Sequence, residues 1–160
     1  MKTILCTIIV VSFLSCETKT TPQNVNAPVV TLTKEDHIQA VTQVLADFDQ
    51  AYQENNDATF RNFLAKDLVV YGTDSREVWP YEVFQHHIPD TQNKNLPKLT
   101  LVKQNSLYVN GTGTSACVVR ELSYQPTFDN NLRQTIYMEK DGEKWLVKMI
   151  SLGHLLPNGQ

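Results

Sequence analysis

Three cysteines in 160 residues are too few to build a disulfide framework, and none stands at zinc-ligand spacing. Six glycines and seven prolines leave no low-complexity tract and no Gly-rich phosphate loop. Basic residues are not in surplus: 14 Lys and Arg face 17 Asp and Glu, a formal charge of −3. The footprint of a nucleic-acid binder is therefore missing. The apolar stretch Ile4 to Leu14 falls short of the ~20 residues that cross a bilayer, and nothing suggests a polytopic membrane protein. No Ser-His-Asp order with supporting turns is present. What remains is 41% hydrophobic and 19% charged, the balance of one small globular domain.

The N-terminus reads as an address. Lys2 supplies a charged start, Ile4 to Leu14 an apolar middle, and Ser15 a small residue before a cut, the pattern of a secretory signal. Phe13-Leu14-Ser15-Cys16 resembles the lipobox of bacterial lipoproteins. That resemblance implies that residues 1–15 are removed, that Cys16 becomes the acylated first residue, and that two or more acyl chains hold the protein on a bilayer. The expected location is the bacterial cell envelope, facing the periplasm or the exterior. Residues 16–32, polar and rich in Thr and Asn with prolines at 22 and 28, read as a flexible tether of ~15 residues that spans on the order of 20 Å. Cys117 is then alone. Its neighbours Ala116, Val118 and Val119 make it a small hydrophobe rather than a nucleophile.

Residues 33–156 carry the domain, with helices first and strands afterwards. Thr33 precedes Glu35 and Asp36 as a helix cap. Ile38, Val41, Val44, Leu45, Phe48 and Tyr52 then fall on one helical face, so a helix is expected to about Asn55. Asn56 or Asp57 caps a short second helix with Phe60, Phe63 and Leu64. Leu68 to Tyr71 is a short strand that stops at Gly72, and Pro80 can open a third helix through Val83, Phe84 and Ile88, ended by Pro89. Strands are expected at 98–103, 106–109, 115–124, 132–140 and 144–152. Asn110-Gly111 and Asp141-Gly142 suit type I′ hairpin turns. Helices set apart from an antiparallel sheet define an α+β fold. A strongly curved sheet wrapped on the long helix makes a cone with one packed end and one open mouth, a shape that suits small-molecule sites.

Gly72-Thr73-Asp74-Ser75-Arg76-Glu77-Val78-Trp79 resembles the Gly-Thr-Asp-x-x-Glu-x-Trp segment of a SnoaL-like branch of the nuclear transport factor two-like superfamily, and Asp141-Gly142-Glu143-Lys144-Trp145 resembles its closing hairpin. The resemblance spans about residues 34–154. It implies a cone-shaped sheet wrapped on helices, often dimerising through the sheet's outer face. The superfamily includes isomerases, cyclases and dehydratases as well as non-catalytic binding and assembly modules, so fold alone does not deliver function. Many relatives carry a His about six residues after the closing Trp. Here that position is Ser151, and His154 lies on the opposite parity of a regular strand.

The candidate chemistry centres on Asp74 and Glu77, beside Tyr71, Trp79 and Tyr81. A carboxylate desolvated against aromatic rings can serve as a general base; the structural alternative has Asp74 capping a turn and Glu77 pairing with a cation. Arg133, Tyr137 and Ser151 are further candidate ligand contacts. An Arg in a half-apolar cone can bind a carboxylate, or Arg120 and Arg133 can pair with Glu121 and Glu139 across strands. Which strand face lines the cone stays open, because a one-residue slip swaps faces. Trp145, Val147, Met149 and Ser151 form one stripe of a regular strand. His86, His87 and Asp90 make no metal site, since adjacent helical residues diverge by ~100°, and His37 reads as solvated. No metal and no cofactor are expected. The expected partners are the bilayer through Cys16, a small-molecule ligand and a second copy of the chain. Three readings follow: a tethered binding module for a small apolar or amphipathic ligand, an isomerase, dehydratase or cyclase using Asp74 or Glu77 as base, and a non-catalytic dimerisation or assembly module. The lipid anchor has its own test. Cys16→Ser is expected to move the protein from the detergent phase to the aqueous phase in a phase-partition assay, and a variant that stays with membranes overturns the anchor.

Overall fold

The Thr33 hydroxyl accepts a hydrogen bond from the Asp36 N–H at 3.2 Å, and the Asp36 carboxylate accepts one from the Thr33 N–H at 2.8 Å. This reciprocal capping box satisfies two donors that a helix start leaves open and begins α1, Lys34–Gln53. The computed structural model describes residues 32–86, 98–125 and 131–155. The expected signal, Cys16 and nearly all of the expected tether lie outside them, as do His87, Ile88, Pro89 and Asp90. Val41, Leu45, Phe48 and Ala51 of α1 are buried, with Ile38, Val44 and Tyr52 packed beside them, so the stripe expected from spacing is the stripe observed. Asn55 takes a left-handed turn (φ 53°), and Asn56 caps α2, Asp57–Arg61, by accepting from the Thr59 N–H at 3.1 Å.

The remaining elements are β1 (Leu64–Tyr71), β2 (Val78–Pro80), α3 (Tyr81–Phe84), β3 (Lys98–Val109), β4 (Ser115–Gln125), β5 (Leu132–Asp141) and β6 (Lys144–His154). They make a curved, unclosed six-stranded sheet in the order β2-β1-β6-β5-β4-β3. The fold is α+β, as the order of elements predicts. Three features escape the sequence pattern. The second helix ends at Arg61, and Leu64, expected within it, opens β1. Three-residue β2 pairs antiparallel with β1, Val69 opposite Pro80 and Tyr71 opposite Val78. And β1 lies parallel to β6, with Tyr71 beside Ser151, while the other neighbours are antiparallel. The two segments expected at 98–103 and 106–109 are one strand. Its pairing with β4 skips Val102 and Asn105, two bulges that bend it and hide its strand periodicity.

Alternation sorts the sheet into two faces. Ala116, Val118 and Leu122 of β4, Leu132, Ile136 and Met138 of β5, and Val147 and Ile150 of β6 are buried, and most of them join the α1 stripe in one core. A third bulge decides the end of β6. Val147 pairs with Met138 and Met149 with Tyr137, leaving Lys148 unpaired between them. Trp145 and Val147 face inward, Lys148 absorbs the extra residue, and beyond it Ile150 and Leu152 face inward instead. The stripe read from regular alternation is therefore corrected: Met149 and Ser151 lie on the outer face, and His154, opposite Leu132, regains the parity of Trp145. The Lys148 ammonium donates to both Asp67 carboxylate oxygens at 2.7 Å, which fixes the bulge against β1.

The turns differ from expectation too. Only Gly142 of the Asp141-Gly142 pair has positive φ (59°), so the turn centres on Gly142-Glu143 with a single left-handed residue and is not type I′. Between β3 and β4 the left-handed residue is Gly113 (φ 66°), not Gly111. The Asn110 carbonyl accepts from the Gly113 N–H at 3.0 Å, and its side-chain oxygen accepts from Thr114 N–H at 2.8 Å and Ser115 N–H at 3.1 Å. Asn110 thus organises a four-residue loop. His37 packs its ring where a Gly113 Cβ would stand, so it is half-buried rather than solvated.

One inward position of β4 is not apolar. Arg120 is 1% exposed, and its Nη1 and Nη2 each donate to an Asp49 carboxylate oxygen at 2.6 Å, while its Nε donates to Gln134 Oε1 at 2.7 Å. Its partner is therefore Asp49 of α1, not a cross-strand glutamate. Breaking one side of a buried pair costs far more than replacing both. Asp49→Ala is expected to lose about 3–5 kcal/mol of stability, whereas the joint change Asp49→Leu with Arg120→Met is expected to recover most of it; denaturant unfolding of both variants checks the difference.

Candidate functional site

At the open end of the sheet, beyond the Arg120–Asp49 pair, lies a cavity of about 290 Å³, near the lower end of ligand sites. Phe48 and Tyr52 enter it from α1, Phe60 from α2, Val70 from β1, and Trp79 and Phe84 from the β2–α3 segment. Leu132 and Gln134 of β5 and Ile150 and Leu152 of β6 form the sheet side, with Gly72, Thr73 and Glu77 at the loop between β1 and β2. The aromatic side is already ordered by its own packing. The rings of Phe48 and Phe60 are 4.7 Å apart and those of Tyr52 and Phe60 are 5.7 Å apart, within the range of favourable ring contacts.

The 72–77 loop is held by its own residues. The Glu77 carbonyl accepts from the Gly72 N–H at 2.8 Å and the Glu77 N–H donates to the Asp74 carbonyl at 3.0 Å. The Glu77 carboxylate accepts from the Asp74 N–H at 3.0 Å. A Cβ on residue 72 would collide with the Glu77 side chain, 2.2 Å from Oε2, so only glycine lets the carboxylate fold back over the strand end. Asp74 points away from the cavity. Its carboxylate accepts from Arg76 Nε and Nη2, both at 3.0 Å, and from the Arg76 N–H at 2.9 Å. The Arg76 guanidinium, with that backbone N–H, holds the Asp74 carboxyl below the ordinary carboxylate range.

Of the residues singled out from sequence, Glu77 and Trp79 reach the cavity wall. Asp74 stands beside it on the exposed side of the loop. Tyr81 is buried under α3, where its hydroxyl accepts from the Lys66 ammonium at 3.2 Å. Tyr71 and Ser151 are neighbours on the outer face. Arg133 and Tyr137 are there as well, because β5 turns Leu132, Gln134 and Ile136 inward. Tyr137 donates to Glu139 at 2.8 Å, and that carboxylate raises the phenol's pKa. Among the described residues no group of three or more His, Cys, Asp or Glu is placed to hold a metal ion. Sequence reasoning missed Asp49 and Gln134. Asp49 lies four residues after Leu45 on the buried stripe, and Gln134 sits between Leu132 and Ile136; each is a polar residue on an apolar face.

The Asp74 contacts predict a pH response. A carboxyl with a depressed native pKa stabilises the fold above its ordinary value near 3.9 and loses that contribution as pH falls through the native value. An NMR titration is expected to place Asp74 below the ordinary range, and Arg76→Ala, which keeps the backbone N–H, to move it part of the way back.

No protein-family model matches the chain, and no curated protein matches it. Solved structures do. A cystatin-like fold protein from Burkholderia xenovorans aligns at TM-score 0.64 and 18% identity, covering 78% of this chain and 96% of its own. A protein of unknown function from Shewanella baltica, described as NTF2-like, aligns at TM-score 0.61 and 13% identity, covering 79% and 100%. An NTF2-like protein from Cytophaga hutchinsonii aligns at TM-score 0.59 and 16% identity, covering 78% and 100%. At these identities the likeness is one of architecture: the domain has the nuclear transport factor two-like fold.

Proposed function

We propose that the domain binds a small, mostly apolar ligand in the cavity at the open end of its sheet, and that the acylated Cys16 holds it beside a bacterial envelope membrane. The observation that carries the reading is the cavity itself. About 290 Å³ of space is walled by five aromatic and four aliphatic side chains, with Glu77, Thr73 and Gln134 as polar exceptions. Burying apolar ligand surface there is worth roughly 25 cal/mol per Å² before the cost of association. The Gly72–Trp79 segment supports a place in the SnoaL-like branch of the superfamily, and Phe13–Cys16 supports the lipid anchor. No helix among the described residues is long and apolar enough to cross a membrane.

The general-base reading has less support. Asp74 is engaged by Arg76 and pushed toward lower pKa, the wrong direction for a base working near neutral pH. One Glu77 oxygen is committed to the Asp74 N–H. A binding site needs neither group to move a proton.

Filling the cavity tests the proposal. Leu152→Trp puts an indole into the space while staying hydrophobic. It is expected to abolish binding of naphthalene-sized fluorescent probes that the unaltered protein takes up at micromolar concentration, with little loss of thermal stability. Failure of the unaltered protein to bind any such probe overturns the reading.

A further inference from the structure

Gln134 is 6% exposed and lies on the cavity wall. Its amide is oriented by one strong contact: Oε1 accepts from Arg120 Nε at 2.7 Å, and Arg120 cannot rotate, because its other two nitrogens grip Asp49. The Arg side chain has donors only, so the amide oxygen must face it and the NH₂ group must face the opposite way. Among the described residues Nε2 has no hydrogen-bond partner. Nor is it sealed in the core, since no fully buried side-chain nitrogen or oxygen among them lacks a partner. The donor therefore opens on the cavity.

Resting on the reading of that cavity as a binding site, we propose that Gln134 selects its occupant: an uncharged, planar molecule that presents a hydrogen-bond acceptor, such as a ketone or ester oxygen, to Gln134 Nε2. Two observations narrow the class. Five aromatic side chains, Phe48, Tyr52, Phe60, Trp79 and Phe84, line the space and favour a flat ring system. Charge is set by what the wall has to offer. The Arg120 cation is spent on Asp49, and Glu77 is the charged residue lining the wall, so an anionic ligand meets a like charge close by with no free cation from Arg120 to offset it. An acceptor without charge satisfies the amide donor and avoids that repulsion. A pure hydrocarbon leaves the donor unpaired, which costs affinity.

Three probes of one shape test this: 2-acetylnaphthalene, its alkene isostere 2-isopropenylnaphthalene, and 2-naphthoate. The ketone is expected to bind the unaltered protein at least as tightly as the more hydrophobic alkene, and naphthoate about tenfold more weakly or worse. Gln134→Glu keeps an oxygen for Arg120 but replaces the donor with an acceptor. In that variant the ratio of ketone to alkene Kd is expected to rise about tenfold or more. If the alkene already outcompetes the ketone in the unaltered protein by the same ratio as in the variant, Gln134 selects nothing and the proposal falls, while the cavity remains a binding site. Tighter binding of naphthoate than of ketone overturns the uncharged class. If none of the three binds, this proposal and the binding reading fall together.

Discussion

The Arg120–Asp49 pair sits where the packed part of the domain meets the hollow part, and both depend on it. Below it, apolar side chains of α1 and the sheet close into a core. Above it, the same helix and strands part around empty space. A guanidinium with 1% exposure is tolerable only when its donors are taken and its charge is balanced, and here two go to Asp49 and one to Gln134. The geometry leaves little slack. A bidentate contact sets the azimuth of α1 over β4, and that azimuth directs Phe48 and Tyr52 into the cavity. The network is also one-sided. It consumes the cation and presents only the neutral end of an amide to the cavity.

The other half of the cavity depends on an irregularity. Without the bulge at Lys148, β6 would turn Met149 and Ser151 inward and expose Ile150 and Leu152. One extra residue reverses this and makes the far wall aliphatic. The Lys148–Asp67 contact holds the bulge from outside, and the ammonium is pushed to higher pKa mainly by that carboxylate, so it stays charged through the neutral range. Across the mouth, the 72–77 loop is shaped by Gly72 and the folded-back Glu77 side chain. Wall chemistry thus comes from two places where the chain leaves ideal strand geometry.

The amphipathic helix, the cap at Thr33, the α+β order and the main strands were legible in the residues, because period and capping are local properties. Short β2 was not, since three residues carry no period. Neither was the parallel β1–β6 contact, which joins the two ends of the domain. The face assignments failed where a bulge intervenes, as at Ser151, because alternation assumes a regular ladder. The eight-residue segment from Gly72 to Trp79 did mark the cavity rim, though Asp74 within it looks outward to Arg76. The most informative residues, Asp49 and Gln134, were legible only as breaks in an apolar pattern. One carboxylate on a buried helical stripe and one arginine on a buried strand row were each other's explanation, seventy-one positions apart.

The parallel contact between β1 and β6 also bears on the order of synthesis. The ribosome releases residues 64–71 long before residues 144–154, so until then β1 has one long flank lacking its permanent neighbour. Only the short β2 can shield the opposite flank during that interval. The sheet can close ranks only after the last strand has left the exit tunnel, so its final consolidation waits on a contact between strands far apart in sequence.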